Sequence, residues 1–143
     1  ICKKGKHISE KFAGNYFQDI SVGIDFTARD VQDECKKKGM PWEIAKSFDQ
    51  SAPIGKFINK NTLPNNNSIN FSLKINGIEK QVGNTKDMIF SFNAIIAHVS
   101  KFITLKEGDL IFTGTPAGVG PTKINDHFEV YIEGKPMLDF LVK

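Results

Sequence analysis

Apolar and polar positions alternate along much of this chain, and this period of two is typical of strands with one buried face. The alternation predicts strands at residues 20–26, 71–75, 78–82, 128–132 and 137–142, with a short apolar strand at residues 110–112. Asn76-Gly77 stands between the second and third strands, and this dipeptide is typical of a two-residue hairpin turn. A second hairpin is predicted around residues 133–136. In the first strand, Asp25 points away from the apolar face.

Apolar residues on one helical face predict short helices at residues 9–17 and 91–102. Residues 31–38, which are followed by Gly39 and Pro41, are predicted to form one or two helical turns. The last helix has an apolar face that is predicted to be buried, formed by Phe92, Ile95, Ile96, Val99, Phe102 and Ile103. His98 lies opposite that face and is interpreted as a surface residue. Residues 42–55 are predicted to be irregular or to form short extended structure, and the Asn-rich residues 59–70 are predicted to form a surface loop. The predicted fold class is therefore α+β, mainly β with few short helices.

Length, charge and cysteine usage exclude several classes of protein. The 143 residues suffice for a single domain, and a net charge of +3 gives no basis for strong nucleic-acid binding. The longest uncharged apolar stretch, near residues 88–99, is far shorter than the roughly twenty residues that span a membrane. Cys2 and Cys35 form neither a disulfide framework nor a zinc motif, which favours an intracellular compartment. The chain starts at Ile1 without a signal-peptide pattern, so we expect it to be part of a longer protein.

A first group of candidate functional residues follows the predicted strand at residues 20–26. Asp25 offers a hard carboxylate oxygen, Arg29 a bidentate cation and Gln32 a neutral amide within one short segment. This combination suits a small carboxylate substrate together with a divalent cation. The alternative is structural: Arg29 and Asp30 satisfy each other or the backbone.

Two further candidates lie later in the chain. Lys46 stands among apolar residues, and it is either a surface lysine with a buried stem or a partly buried functional lysine. The loop at residues 113–116 has the sequence Thr-Gly-Thr-Pro and follows the short apolar strand. Such a loop at a strand end is a good place for backbone amides to meet an anionic ligand.

Three segments together closely resemble the fumarylacetoacetate hydrolase family. They are residues 23–32 (Gly-Ile-Asp-Phe-Thr-Ala-Arg-Asp-Val-Gln), residues 38–49 with Lys-Gly-Met-Pro-Trp and Ala-Lys-Ser-Phe-Asp, and residues 108–120 with Thr-Gly-Thr-Pro. The resemblance runs in order over nearly the whole chain, and it is closest to the short acylpyruvase and oxaloacetate decarboxylase members. It implies a mixed β-sandwich roll of the family's C-terminal-domain type, a homodimer and one bound Mg²⁺ or Mn²⁺.

The resemblance also implies a role for each candidate residue. Asp25 matches a metal ligand of the family, and the substrate-pocket residues match Arg29, Gln32 and Lys46. Gly114 and Thr115 match the loop that meets the substrate carboxylate. The family's Glu-x-Glu metal pair and the His and Glu of its mobile lid lie upstream of the segment matching residues 1–4. We therefore expect residues 1–143 to form a single catalytic domain of this type without its N-terminal portion.

The activity that the resemblance implies is that of a Mg²⁺- or Mn²⁺-dependent hydrolase or lyase. Its substrates are small 2-oxo acids with a second carbonyl group, and acylpyruvate hydrolysis and oxaloacetate decarboxylation both pass through a metal-stabilised pyruvate enolate. The Lys46 ammonium is expected to share in stabilising that charge. Two alternatives stay open: an oxaloacetate keto-enol tautomerase, and an inactive family member that serves as a dimerising or ligand-binding module. The expected location is the mitochondrion or the cytosol, with no membrane or nucleic-acid partner.

Overall fold

Two hairpins build the main antiparallel sheet of the protein. The computed structural model describes residues 1–143. The hairpins are β3 (Asn70–Ile75) with β4 (Ile78–Asn84), and β5 (His127–Ile132) with β6 (Lys135–Leu141), in the spatial order β4-β3-β5-β6. Both turns place two residues at positive φ, Asn76 and Gly77 in one and Glu133 and Gly134 in the other. Positive φ at both central residues gives the turn a twist that matches that of the strands, and both predicted hairpins are confirmed.

A smaller sheet and four helices complete the fold. The two-stranded sheet pairs β1 (Asp19–Ile20) with β2 (Ile58–Asn59). The helices are α1 (Glu10–Ala13), α2 (Arg29–Lys38), α3 (Glu43–Lys46) and α4 (Phe92–Phe102), and single 3₁₀ turns occupy Lys60–Thr62 and Thr85–Asp87. No helix is both long enough and apolar enough to cross a membrane. The two cysteines are free.

The core face of the main sheet carries the segment that holds Asp25. Phe128, Val130 and Leu73 are buried on this face, because residues two apart on a strand share one side. Ile24 and Phe26 pack against the same cluster, and the Phe26 ring lies edge-on to Phe128 with 5.6 Å between centroids. This packing fixes residues 24–26 on the sheet, with Asp25 turned to the solvent side as predicted.

The prediction of one continuous strand at residues 20–26 is wrong. Only β1 is a regular strand; beyond it a single bridge joins Gly23 to Ile54, and the amide of Ile24 donates to the carbonyl of Pro53. Proline has no amide hydrogen, so the segment opposite residues 22–26 cannot continue a regular ladder. The segment nevertheless stays extended.

The short strand predicted at residues 110–112 is also absent. No backbone hydrogen bond to a neighbouring strand involves these residues, and Leu110 and Phe112 are each about half exposed. An isolated extended segment has no ladder partner, whatever its β propensity. Phe112 instead places its ring edge against Gly23, where a side chain larger than hydrogen would clash with it.

The helix predictions hold with four corrections. Helix α1 covers only Glu10–Ala13 of the predicted residues 9–17. Helix α2 begins earlier than predicted, at Arg29, and is followed by Gly39 in the left-handed conformation. Helix α3 forms within residues 42–55, which were predicted to be irregular or extended. Helix α4 begins after Ser91, whose hydroxyl accepts from the amide of Ala94. The predicted buried face is confirmed in part: Ile96 is buried, and Phe92 and Val99 pack against the core. The face also includes Ala97 and Ser100, whereas Phe102 and Ile103 are exposed. His98 is exposed, as predicted.

Ser100 is buried on α4 because the backbone of residues 7–8 packs closely against it. The side chain of Ser100 is fully buried and accepts from the amide of Ile8, and its carbonyl accepts from the amide of His7. Only a small residue leaves room for this contact. The Asn-rich segment is likewise less peripheral than predicted, since Leu63 and Ile69 are buried in a second core cluster.

Candidate active site

Helix α3 brings Lys46 to the segment that carries Asp25. The amide of Ala28, the residue before α2, donates to the carbonyl of Ala45 at 3.0 Å, and Ala45 is fully buried. This link joins the two segments although they lie far apart in sequence. The next residue, Lys46, therefore reaches back over residues 25–27.

The Lys46 ammonium is held by two oxygens on one side of that segment. Its Nζ lies 2.7 Å from Oδ2 of Asp25 and donates to Oγ1 of Thr27 at 2.8 Å. Asp25 and Thr27 face the same way because they are two residues apart in an extended segment. The Lys46 side chain is 31% exposed and that of Asp25 is 51% exposed. Lys46 is therefore a fixed cation at a partly open site, which agrees with the partly buried alternative for this residue.

Arg29 and Gln32 form a second pair on the first turn of α2. Nη1 of Arg29 donates to Oε1 of Gln32 at 2.9 Å, and Gln32 is buried while Arg29 is exposed. The ion pairs of the structure do not include Arg29 with Asp30, so the mutual-pairing alternative is not observed. One guanidinium nitrogen is thus used to orient the side chain, while the other donors of Arg29 remain available to a ligand.

The Thr-Gly-Thr loop is anchored at both of its ends. At its start, Phe112 packs against Gly23, two residues before Asp25. Gly114 adopts φ +120°, a conformation that residues with a Cβ rarely adopt. Beyond it, the side-chain amide of Gln81 on β4 donates to Oγ1 of Thr115 at 3.1 Å.

The structure thus brings some of the predicted residues together and leaves others apart. Asp25 and Lys46 are in contact. Arg29 follows Asp25 by four residues, at the start of α2. Neither Gly114 nor Thr115 hydrogen-bonds to that pair; the loop approaches through Phe112. The sequence analysis missed Thr27 and Gln81. Each is a neutral residue whose partner lies 19 or 34 positions away, which no local spacing signals.

The Asp25 carboxylate can supply one ligand to a divalent cation. The side-chain hydrogen bond of Asp25 uses Oδ2, so Oδ1 of this half-exposed carboxylate can bind a cation. Mg²⁺ commonly binds through one or two carboxylates and keeps several waters or substrate oxygens. No group of three or more His, Cys, Asp or Glu residues is positioned to bind a metal. The residues present therefore fit a single protein ligand, Asp25, rather than a complete set.

A carboxylate beside a fixed ammonium, four residues before an exposed guanidinium, defines a candidate site for small carboxylic acids on an α+β scaffold. Comparison with known proteins gives the family. The fumarylacetoacetate (FAA) hydrolase C-terminal family matches residues 1–143, and the chain belongs to that family.

Named relatives agree with the family assignment. The chain is 50% identical over 141 residues to the mitochondrial oxaloacetate tautomerase FAHD1 of Mus musculus, a match that covers 99% of this chain and 64% of the mouse protein. The corresponding protein of Caenorhabditis elegans is 46% identical, over 87% of this chain and 58% of its own length. The chain thus spans less than two thirds of the length of these relatives.

A solved structure confirms the fold. The fumarylpyruvate hydrolase of Pseudomonas aeruginosa, crystallised with Mn²⁺ and pyruvate, superposes with a TM-score of 0.92 at 34% identity, over 99% of this chain and 61% of that chain. The predicted α+β fold of the family's C-terminal-domain type is therefore confirmed, as is the resemblance that predicted it.

Proposed function

We propose that this chain carries the substrate-binding side of an enzyme that forms an enol or enolate from a small 2-oxo acid. The observation that carries the proposal is the Lys46 ammonium, held 2.7 Å from Asp25 and 2.8 Å from Thr27 at an open site. A preorganised cation stabilises negative charge that develops on a neighbouring oxygen without having to reorient. Similarity to the mouse oxaloacetate tautomerase and to a fumarylpyruvate hydrolase solved with pyruvate supports this substrate class.

In the proposed arrangement, the substrate carboxylate is bound by the loop and by arginine. The backbone amide of Gly114, the hydroxyl of Thr115 and the donors of Arg29 that face away from Gln32 are the groups that can bind it. Lys46 then faces the 2-oxo oxygen. Asp25 would hold a Mg²⁺ or Mn²⁺, which when bound supplies Lewis-acid polarisation of that carbonyl.

Three related reactions all develop negative charge on the oxygen at C2 of the substrate. In tautomerisation of oxaloacetate, C3 loses a proton and the 2-oxo oxygen gains one. In decarboxylation, the bond between C3 and the departing carboxylate breaks, its electron pair passes to the enolate, and C3 is then protonated to give pyruvate. In acylpyruvate hydrolysis, water adds to the acyl carbonyl before the C–C bond breaks, giving a carboxylic acid and the same enolate. In each reaction Lys46 stabilises the charge on the oxygen at C2.

Tautomerisation is our first candidate and hydrolysis or decarboxylation the second. The first is favoured by the 50% identity to the mouse tautomerase. Unlike hydrolysis, it needs no activated water. The second is favoured by the similarity to the fumarylpyruvate hydrolase. We further propose a mitochondrial homodimer: the location follows the mouse relative's name, and the dimer follows the resemblance to the family.

Replacing the ammonium tests this proposal. Oxaloacetate tautomerisation, decarboxylation and acylpyruvate cleavage are measured with Mg²⁺ for the wild type and for Lys46→Met, which keeps most of the side-chain volume. We expect turnover to fall about a hundredfold, the usual scale for losing one preorganised charge. The matched control is Lys38→Met, on an exposed lysine paired only with Glu34.

Two outcomes would contradict the enzymatic proposal. Unchanged turnover in Lys46→Met removes Lys46 from the mechanism. A wild type that binds oxalate, a mimic of the enolate, but turns over none of the substrates supports instead the inactive ligand-binding module.

A further inference from the structure

Gln81 lies where the main sheet meets the Thr-Gly-Thr loop. On β4 it is directly opposite Leu73 of β3, so the two residues share the core face of the sheet. That face is the one on which Ile24 and Phe26 pack, on either side of Asp25. Gln81 is partly buried there and does not project freely into solvent.

The NH₂ group of the Gln81 side chain is bound by the loop. Its Nε2 donates to Oγ1 of Thr115 at 3.1 Å and to the carbonyl of Pro116 at 3.0 Å, and the carbonyl of Ala117 lies at 3.5 Å. Backbone carbonyls only accept hydrogen bonds, so the group facing them has to be the NH₂ of the amide and not its oxygen. This assignment makes Gln81 the donor and Thr115 the acceptor.

A second contact presses the same loop onto the same strand. Gly118 adopts φ +99°, and a Cβ at this position would collide with the carbonyl oxygen of Lys80, the neighbour of Gln81. The backbone of residues 115–118 therefore lies directly on β4 at residues 80–81. The loop therefore covers the middle of β4, at residues 80–81.

We propose that Gln81 is a positioning residue that acts through Thr115. Because Oγ1 of Thr115 accepts a hydrogen from Gln81, the hydroxyl hydrogen of Thr115 is directed away from β4 and is free to be donated. A donor fixed in this way meets an anionic oxygen without a cost for reorientation. The inference rests on the proposed function in one respect: the anion is the carboxylate of the 2-oxo acid.

The test compares Gln81→Met, which keeps length and removes the donor, with Gln18→Met, the same change at an exposed glutamine. Oxalate affinity is measured by calorimetry in the presence of Mn²⁺, and NMR order parameters are measured for the amides of Gly114, Thr115 and Ala117. We expect Gln81→Met to weaken oxalate binding about tenfold, the scale of one hydrogen bond, and to lower the order parameters. Gln18→Met should change neither.

A double-mutant cycle separates positioning from a general packing effect. In the Thr115→Val background the hydroxyl is gone, so Gln81→Met should weaken oxalate binding no further. Rescue is tested with Gln81→Lys, whose ammonium can again donate to Oγ1 of Thr115 and should recover part of the affinity.

The outcomes are distinct for the two proposals. Additive losses in the cycle, or order parameters unchanged in Gln81→Met, would overturn the inference about Gln81. A wild type that binds no oxalate would overturn the proposed function, and the order parameters would still decide whether Gln81 positions the loop.

Discussion

Asp25 and Thr27 are two residues apart on an extended segment, and this spacing places both oxygens beneath the Lys46 ammonium. The sequence predicted Asp25 and Lys46 separately. It could not predict their contact, because the hydrogen bond that joins their segments runs from the amide of Ala28 to the carbonyl of Ala45 and involves no side chain. Thr27 was missed for the same reason, since a hydroxyl in an extended segment has no local signature.

Thr27→Val tests whether the hydroxyl of Thr27 positions Lys46. Valine keeps the shape and the β-branch but removes the acceptor 2.8 Å from Nζ. We expect turnover to fall about tenfold, as for the loss of one hydrogen bond to a charged group, while the free energy of unfolding changes little. Thr27→Ser, which restores the oxygen, should recover most of the turnover. Full turnover in Thr27→Val would show that Asp25 alone holds the lysine.

Away from the candidate site, the pair of His127 and Asp139 makes the stability of the fold depend on pH. The hydrogen bond to Asp139, at 2.7 Å across β5 and β6, raises the pKa of His127 above its ordinary value. A raised pKa in the folded state means that the pair stabilises the fold fully below the pKa of an unfolded histidine, and that this contribution is lost as pH rises through the folded value. In an NMR titration, Asp139→Asn should lower the pKa of His127. An unmoved titration curve for His127 would contradict the assignment.

At the scale of elements, the sequence predicted what local chemistry determines. Both hairpins were predicted because Asn76-Gly77 and Glu133-Gly134 supply the positive φ angles that their turns require. The strand at residues 20–26 was overextended because its partner segment contains Pro53, a fact that depends on which segments meet. The buried face of α4 was predicted correctly at Ile96, but the burial of Ser100 was missed because Ser100 meets the backbone of residues 7–8, again a non-local contact.

The docking of the loop on β4 leads to a prediction about Gly118. Gly118→Ala adds a Cβ that meets the carbonyl oxygen of Lys80, at a residue whose φ already disfavours a side chain. We expect the free energy of unfolding, measured by urea denaturation, to fall by about 1–3 kcal/mol. Gly120→Ala is the matched control, because nothing lies within 4 Å of a Cβ at that position. Equal stability of the two variants would show that the loop does not rest on β4.

At the scale of the whole molecule, the hydrophobic core of the main sheet also fixes the segment that carries the candidate site. The cluster of Leu73, Phe128 and Val130 packs against Ile24 and Phe26, the two neighbours of Asp25, and Phe112 packs against Gly23 just before the Thr-Gly-Thr loop. The candidate site therefore lies on the solvent side of a segment that is fixed on the main sheet. The central claim is that this site binds a small 2-oxo acid together with a divalent cation through Asp25.

The measurement that tests this claim most directly is a calorimetric titration of Mg²⁺ and Mn²⁺ with and without oxalate. It is made on the wild type, on Asp25→Asn and on Asp33→Asn, an exposed aspartate of α2 that serves as the matched control. We predict that oxalate tightens cation binding in the wild type and in Asp33→Asn, because a chelating anion completes the coordination. In Asp25→Asn the cation concentration needed for binding should rise about tenfold or more, as expected for a lost carboxylate ligand. Cation and oxalate binding that is the same in Asp25→Asn as in the wild type would contradict the account.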